Sequence, residues 1–366
     1  MSGGWATRRT VTALVLGMAA LAACAPPPPD EPLRKPAPPN RPQAAYGVMV
    51  PSGDFQKLQV ADQVRAVDPC GLIDRERLAA RGQIATVGPD FAFGDCAVGV
   101  ALPERARLLA RVSIDLSVGE PGSKDTETRQ IAGETVLVDG IRNDHLQCVY
   151  LVPLYFPASP PAAGAAVPDV IEVPAVQYAR VTAFMFSPDR NCGIADEVTA
   201  SLLGAVKENR LPRRDQATVR LPLAERSPCE LMSELPTGFS VSKFDAEIEP
   251  YECYFTVKGA EAGPSGKTVS VSFQLDDADN ALLPIRDQRL IDVGGHPALR
   301  EQDVMTNSCS LEFPVGPVVD SYLPGTRASQ SEIDGSRKQV IARVSAACPV
   351  LDRLAPIAAT AFGANR

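Results

Sequence analysis

Residues 67–78 read VDPCGLIDRERL, and residues 226–235 read RSPCELMSEL. Each stretch sets a capping residue and a proline directly before a cysteine: Asp68-Pro69-Cys70 in one, Ser227-Pro228-Cys229 in the other. Asp and Ser side chains accept from the exposed N–H groups of a first helical turn, and proline fits there because its missing N–H is not needed. Both stretches therefore predict a helix start, and Gly82 supplies a stop for the first helix. The same opening written twice predicts a duplication.

The remaining cysteines carry the same message. Cys70, Cys96, Cys148 and Cys192 form one set, and Cys229, Cys253, Cys309 and Cys348 a second. Corresponding members lie 159, 157, 161 and 156 residues apart. Surrounding text agrees: ARVSIDLSV at 110–118 echoes KTVSVSFQL at 267–275, and ETVLVDGI at 134–141 echoes RLIDVGGH at 289–296. NCGIADEVTASLLGAV from Asn191 echoes ACPVLDRLAPIAATAF from Ala347. Self-similarity at one fixed period marks a tandem repeat. Within a self-contained set of four, three connectivities are open. The sequential one is expected: Cys70–Cys96, Cys148–Cys192, Cys229–Cys253 and Cys309–Cys348. Each bridge would close a loop worth about 3–4 kcal/mol in the chain-entropy model. Zinc spacing is absent, with no CxxC pair, so no metal is expected.

Alternation of apolar and polar residues places strands. Val112, Ile114, Leu116 and Val118 alternate with Ser113, Asp115 and Ser117, and Val269, Val271, Phe273 and Leu275 repeat the pattern. CVYLVPLYF at 148–156 and YARVTAFMF at 178–186 read as further strands. Asn191 is placed to cap a closing helix with Ile194, Val198, Leu202 and Ala205 on one side, and Pro356 is expected to kink or shorten its counterpart. Loops are expected over 157–170 and 314–337. The fold class is α+β: two tandem homologous domains, each an antiparallel sheet with an N-terminal and a C-terminal helix and two disulfides. The expected bounds are 61–211 and 217–366, joined by a polar linker at 212–216.

The amino terminus reads as an export signal. Arg8 and Arg9 precede an apolar run from Val11 to Leu21, too short for the about 20 residues a bilayer span needs but right for a signal-peptide h-region. The arginine pair loosely matches a twin-arginine signal, which leaves the general and twin-arginine routes both open. Residues 25–43 hold nine prolines, and 24–60 is expected to be a Pro-rich tether.

Chemistry-bearing motifs are weak. Only two histidines exist, His145 and His296, in different places relative to the cysteines. GPSGKT at 263–268 has Glu261 where a phosphate loop needs glycine and precedes a strand, so it reads as a hairpin turn. DDADN at 276–280 lacks the glycine and terminal glutamate of a calcium loop and reads as a solvated turn. Asp245, Glu247 and Glu249 would share one face of a strand that Glu252 follows, an edge guarded by charge or a contact for a cation or basic partner. No catalytic residue and no cofactor is expected. A net charge of −8 repels phosphate backbones, so no nucleic-acid partner is expected either.

LAAC at 21–24 resembles the bacterial lipoprotein signal. The resemblance implies a signal peptide over 1–23, cleavage between Ala23 and Cys24, and a diacyl, palmitate-type anchor on Cys24 at the outer face of the cytoplasmic membrane. DPCGLID, the cysteine that comes after it, VDGI…C and NCGIADEVTASLLGAV resemble the actinobacterial secreted lipoprotein domains of unknown function, which open with a Pro-Cys helix and close with a cysteine-led helix. A looser similarity extends to the extracytoplasmic sensor domains of mycobacterial receptor kinases. These resemblances imply ligand or partner sensing rather than catalysis, and two rigid domains on a tether suit a non-enzymatic module that binds or senses a small or lipidic ligand in the cell envelope. The alternative is a protein–protein interaction scaffold, and an unrecognised hydrolase ranks last.

Overall fold

A Tyr46-Gly47 turn, with φ of 48° and 78°, lies near the start of the described chain. Two successive left-handed residues are what a two-residue type I′ hairpin requires. The turn joins β1 (Gln43–Ala45) to β2 (Val48–Val50), and α1 (Ser52–Ala66) comes next. Within the tether expected over 24–60, residues 43–60 are instead hairpin and helix. The structure, a computed structural model, describes residues 42–90, 92–103, 109–118, 127–139, 147–154, 177–184, 186, 188–217, 219–246, 249–285, 287–325 and 335–363. Ala23, Cys24, His145, Glu247 and the loop expected at 157–170 lie outside them.

The helix expected from Asp68 to Gly82 is two pieces. A 3-10 turn spans Pro69–Leu72, with the Asp68 carboxylate accepting from the Cys70 N–H at 3.1 Å. The short helix α2 (Arg75–Ala79) has its own cap, Asp74, accepting from the Arg77 N–H at 3.1 Å. A second N-cap residue inside the pattern restarts the helix and buries Leu72 and Ile73 between the pieces. In the second half the matching 3-10 turn, Pro228–Glu234, begins with a full capping box between Ser227 and Glu230.

Each half then runs through seven strands. The first set is β3 (Gln83–Gly88), β4 (Asp95–Ala101), β5 (Leu109–Val118), β6 (Glu127–Ile131), β7 (Glu134–Val138), β8 (Gln147–Leu154) and β9 (Gln177–Phe184). The second is β10 (Ser240–Phe244), β11 (Glu252–Gly259), β12 (Gly263–Asp277), β13 (Arg289–Val293), β14 (His296–Asp303), β15 (Ser308–Asp320) and β16 (Arg337–Ala347). Both sheets are antiparallel and have the same order: β3-β4-β5-β9-β8-β7-β6 and β10-β11-β12-β16-β15-β14-β13. Even the irregularities coincide. The pairs Ile84↔Val100, Thr86↔Gly99 and Val87↔Val98 span a bulge, and so do Val241↔Val257, Lys243↔Thr256 and Phe244↔Phe255, each residue 157 positions on.

One helix covers a face of each sheet: α3 (Pro188–Lys207) against β8 and β9, α4 (Cys348–Gly363) against β15 and β16. Asn191 is not the cap expected, because α3 begins at Pro188; its buried carboxamide instead accepts from the Phe186 N–H at 3.0 Å. Pro356 neither ends nor shortens α4, which runs on to Gly363. Proline removes one helical hydrogen bond, and Pro356 lies on the exposed side of the helix. The loop expected over 314–337 starts later, because β15 passes a bulge between Val315 and Val319 and continues to Asp320. GPSGKT is the start of β12, after a turn at 260–262.

The four disulfides pair as expected, with Cα–Cα distances of 5.1 Å (Cys70–Cys96), 5.1 Å (Cys148–Cys192), 5.2 Å (Cys229–Cys253) and 4.8 Å (Cys309–Cys348). In each half one bridge ties the 3-10 turn to the second strand, and the other ties the sixth strand to the covering helix.

Candidate functional site

Residues 38–366 form one compact unit, and the contacts between the halves are part of its core. The segment at 212–216, expected to be a polar linker, is the centre of that junction. Arg214 is 6% exposed and Arg65, at the end of α1, is 3% exposed. Arg214 Nε donates to the Arg65 carbonyl at 3.1 Å, and its Nη2 donates to the Phe93 carbonyl at 2.7 Å. Arg65 Nη1 donates to the carbonyl of Pro250, which lies 157 residues beyond Phe93. Each half thus offers one loop carbonyl to an arginine from the segment that leads into a half.

Apolar contacts run through the same place. Phe93 belongs to the first half by sequence, but its ring stacks on Tyr251 at 4.8 Å and joins the core of the second half, as do Val50 and Leu58. Burial pushes the Tyr251 phenol above its ordinary range and keeps it neutral. Its hydroxyl donates to the Ala224 carbonyl at 3.1 Å. At one side, residues 321–323 lengthen the first sheet: the Val87 N–H donates to the Ser321 carbonyl and the Leu323 N–H to the Ala85 carbonyl, both at 2.8 Å. Gly88 permits that approach, since a Cβ there would lie 1.9 Å from Ser321 Oγ.

Two grooves flank the junction, one beside each first disulfide. The second-half groove is lined by Ser227, Cys229, Phe244, Asp245, Ala246 and Glu252, and α1 lies in it through Leu58, Ala61 and Arg65, leaving about 290 Å³. Lys57 of α1 donates to the Ala246 carbonyl at 3.0 Å. The first-half groove is lined by the corresponding Asp68, Cys70, Val87, Gly88, Pro89 and Asp95. Among the described residues, no helix fills it. Arg214, Ala217, Val219 and Leu221 form its far wall, and about 590 Å³ stays open to solvent. Asp68 and Asp95 face this cleft with backbone partners: Asp68 caps Cys70, and Asp95 accepts from Asp90 N–H at 2.7 Å and Ala92 N–H at 3.1 Å.

The opening Asp68-Pro69-Cys70 motif lines this cleft, but the acidic, DDADN and histidine candidates do not. The described residues of the acidic stretch do not form a strand: β10 ends at Phe244, and residues 245, 246 and 249–251 lie beneath α1, where the Ala246 and Pro250 carbonyls receive Lys57 and Arg65. Asp245 pairs with Lys243, and Glu252 accepts from Tyr254. In DDADN, Asp277 pairs with Lys338 at 2.7 Å and Asp279 with Arg337 at 3.2 Å across neighbouring strands. His296 starts β14 and abuts Gly363 at the end of α4. Among the described residues, no group of three or more His, Cys, Asp or Glu side chains could hold a metal ion, and no helix is long and apolar enough to cross a membrane. Comparison with protein-family models, curated proteins and solved structures finds no match.

Proposed function

We propose that the chain is an extracytoplasmic lipoprotein, made of two homologous domains duplicated in tandem, that binds a ligand in the first-half cleft and does no chemistry on it. Residues 1–23 direct export, Cys24 carries the acyl anchor at the outer face of the cytoplasmic membrane, and residues 24–41 join the anchor to the first hairpin. The cleft carries the reading. Its counterpart in the second half holds part of the chain itself, whereas the first is walled, partly apolar and open. Resemblance to secreted lipoprotein domains and receptor-kinase sensors supports binding or sensing in the envelope.

Two experiments test this. A thermal-shift screen of the purified protein against envelope lipids and glycans should give at least one class that raises Tm, and a screen without any such class overturns the binding role. Cys24→Ala should release the protein from membranes and abolish acyl labelling, and a variant that keeps its label sinks the anchor. A scaffold role is the second reading, favoured by an exposed apolar patch. Val304 and Met305, in the turn between β14 and β15, are 82% and 96% exposed, with Leu290 on the edge strand β13 also exposed. Patches of this kind mark interaction sites. Crosslinking in intact cells should then recover a partner that Met305→Asp loses.

A further inference from the structure

We infer that the first-half cleft takes a monoanion with an alkyl body, such as a fatty-acid carboxylate, held at its charged end by Arg214. The inference rests on the ligand-binding reading above.

The argument starts from the two junction arginines. A guanidinium stays charged in a protein, and a buried charge without a countercharge is costly. Arg65 has its countercharge on the same helix, since Nη2 pairs with Asp62. Arg214 has none: among the described residues no carboxylate lies within ion-pair distance, and the adjacent Asp215 is taken by Arg213 at 3.3 Å. Its bonds go to neutral acceptors only, the carbonyls of Arg65 and Phe93 and, at 3.5 Å, the Tyr251 hydroxyl. These use Nε and Nη2. Nη1 makes no bond to the described residues and is not among the buried polar atoms lacking a partner, so it keeps access to solvent. Arg214 lines the cleft. A fixed, nine-tenths-buried guanidinium with one nitrogen to spare is a ready donor site for an oxyanion.

The other lining residues narrow the ligand. Val87, Pro89, Val219 and Leu221 offer apolar surface beside the arginine, which suits a hydrocarbon chain. Exposed Arg75 adds a second cation at the rim, and Asp68 and Asp95 add two negative charges. One further negative charge is tolerated better than two in that field, which favours a carboxylate or phosphodiester over a phosphate dianion.

The test uses the full-length protein in nanodiscs of zwitterionic lipid, with empty nanodiscs as the blank. Octanoate, octyl phosphate at pH 8 and octanol are compared by thermal unfolding and titration calorimetry. At a hundredfold excess over Kd, octanoate should raise Tm by about 3–5 °C, with octanol and octyl phosphate giving less than a third of that shift. Val219→Asp, a change at an exposed wall residue, should leave the ligand-free Tm in place and remove the octanoate response. Arg214→Gln should lose the response while keeping its circular dichroism, and if it fails to fold, Val219→Asp decides. Octanol matching octanoate overturns the anion assignment and leaves the cleft a binding site. No shift with any of the three overturns both.

Discussion

The grooves beside Cys70 and Cys229 are built alike and used differently. Asp68, Val87, Gly88, Pro89 and Asp95 line one, and Ser227, Phe244, Asp245, Ala246 and Glu252 stand at the matching positions of the other. The scaffold repeats down to a bulge in the first strand pair. What differs is the chain leading into each half. Before Asp68 comes a fifteen-residue helix that lies against the second half; before Ser227 come a three-residue 3-10 turn and a loop, too short to fill the first. The repeated scaffold thus carries two similar grooves, and the unequal leaders fill one and leave the other open.

Phe93 gives the largest expected effect, because it joins the compared regions. Its ring is fully buried in the core of the opposite half. Phe93→Ala should cost about 3–5 kcal/mol and lower one shared urea transition. Two separate transitions in the native protein would mean that the halves are energetically independent. The disulfides come next. Cys70–Cys96 and Cys229–Cys253 close loops of nearly equal length, 26 and 24 residues. Loop entropy alone predicts that each double serine variant loses about 3–4 kcal/mol. A larger loss for the Cys229 bridge, by about 1 kcal/mol or more, would show that the docked helix adds to its groove's stability.

Residue pairs on the groove walls sharpen the contrast further. Leu58 on α1 is 6% exposed in the filled groove, while Leu221 beside the open cleft is only half-buried. Leu58→Ala should cost about 2–3 kcal/mol by the cavity rule, and Leu221→Ala less than about 1 kcal/mol. Equal costs by chemical denaturation would mean that α1 contributes no more to its groove than the loop does to the other.

Much of the scaffold is legible in the sequence because its signals are local or periodic. Cysteine spacing points to the bridges that form, and alternation at Val112–Val118 and Val269–Leu275 locates the central strands. The junction is hidden for physical reasons. Arg214 reads as linker because charged residues are rarely buried, and its acceptors lie 149 and 121 residues away. Helix α1 is masked by the proline-rich stretch beside it, although Phe55, Leu58, Ala61 and Val64 recur at helical spacing. The acidic run looks like a strand face by composition, but Phe244 ends the strand and Pro250 forbids a regular ladder there. The Asp68-Pro69-Cys70 motif marks one wall of the cleft, but the cleft itself is not legible, since its walls come from segments about 130 residues apart that meet only in the folded chain.

The smallest effect sits at a matched strand pair. Leu151 faces Arg180 across β8 and β9, and Glu312 faces Arg343 at the same place across β15 and β16. Leu151 is buried, and Glu312 occupies the same setting as a carboxylate, paired with Arg343 at 3.3 Å. Burial pushes the Glu312 carboxyl above its ordinary range, Arg343 pulls it down, and Glu301 and Asp276 push it up again. The raised value means that the folded state holds this proton more tightly than the unfolded chain. Stability from this group is therefore lost as pH rises from the unfolded carboxyl's range, near 4.5, through the raised folded value, and regained on acidification. Glu312→Gln should be slightly more stable than the native protein at about pH 7.5 and equal to it near pH 4, measured by urea midpoints at both pH values. A glutamine variant that is weaker at the higher pH would show that the Arg343 ion pair outweighs desolvation, and that the second sheet gains by departing from the apolar choice at Leu151.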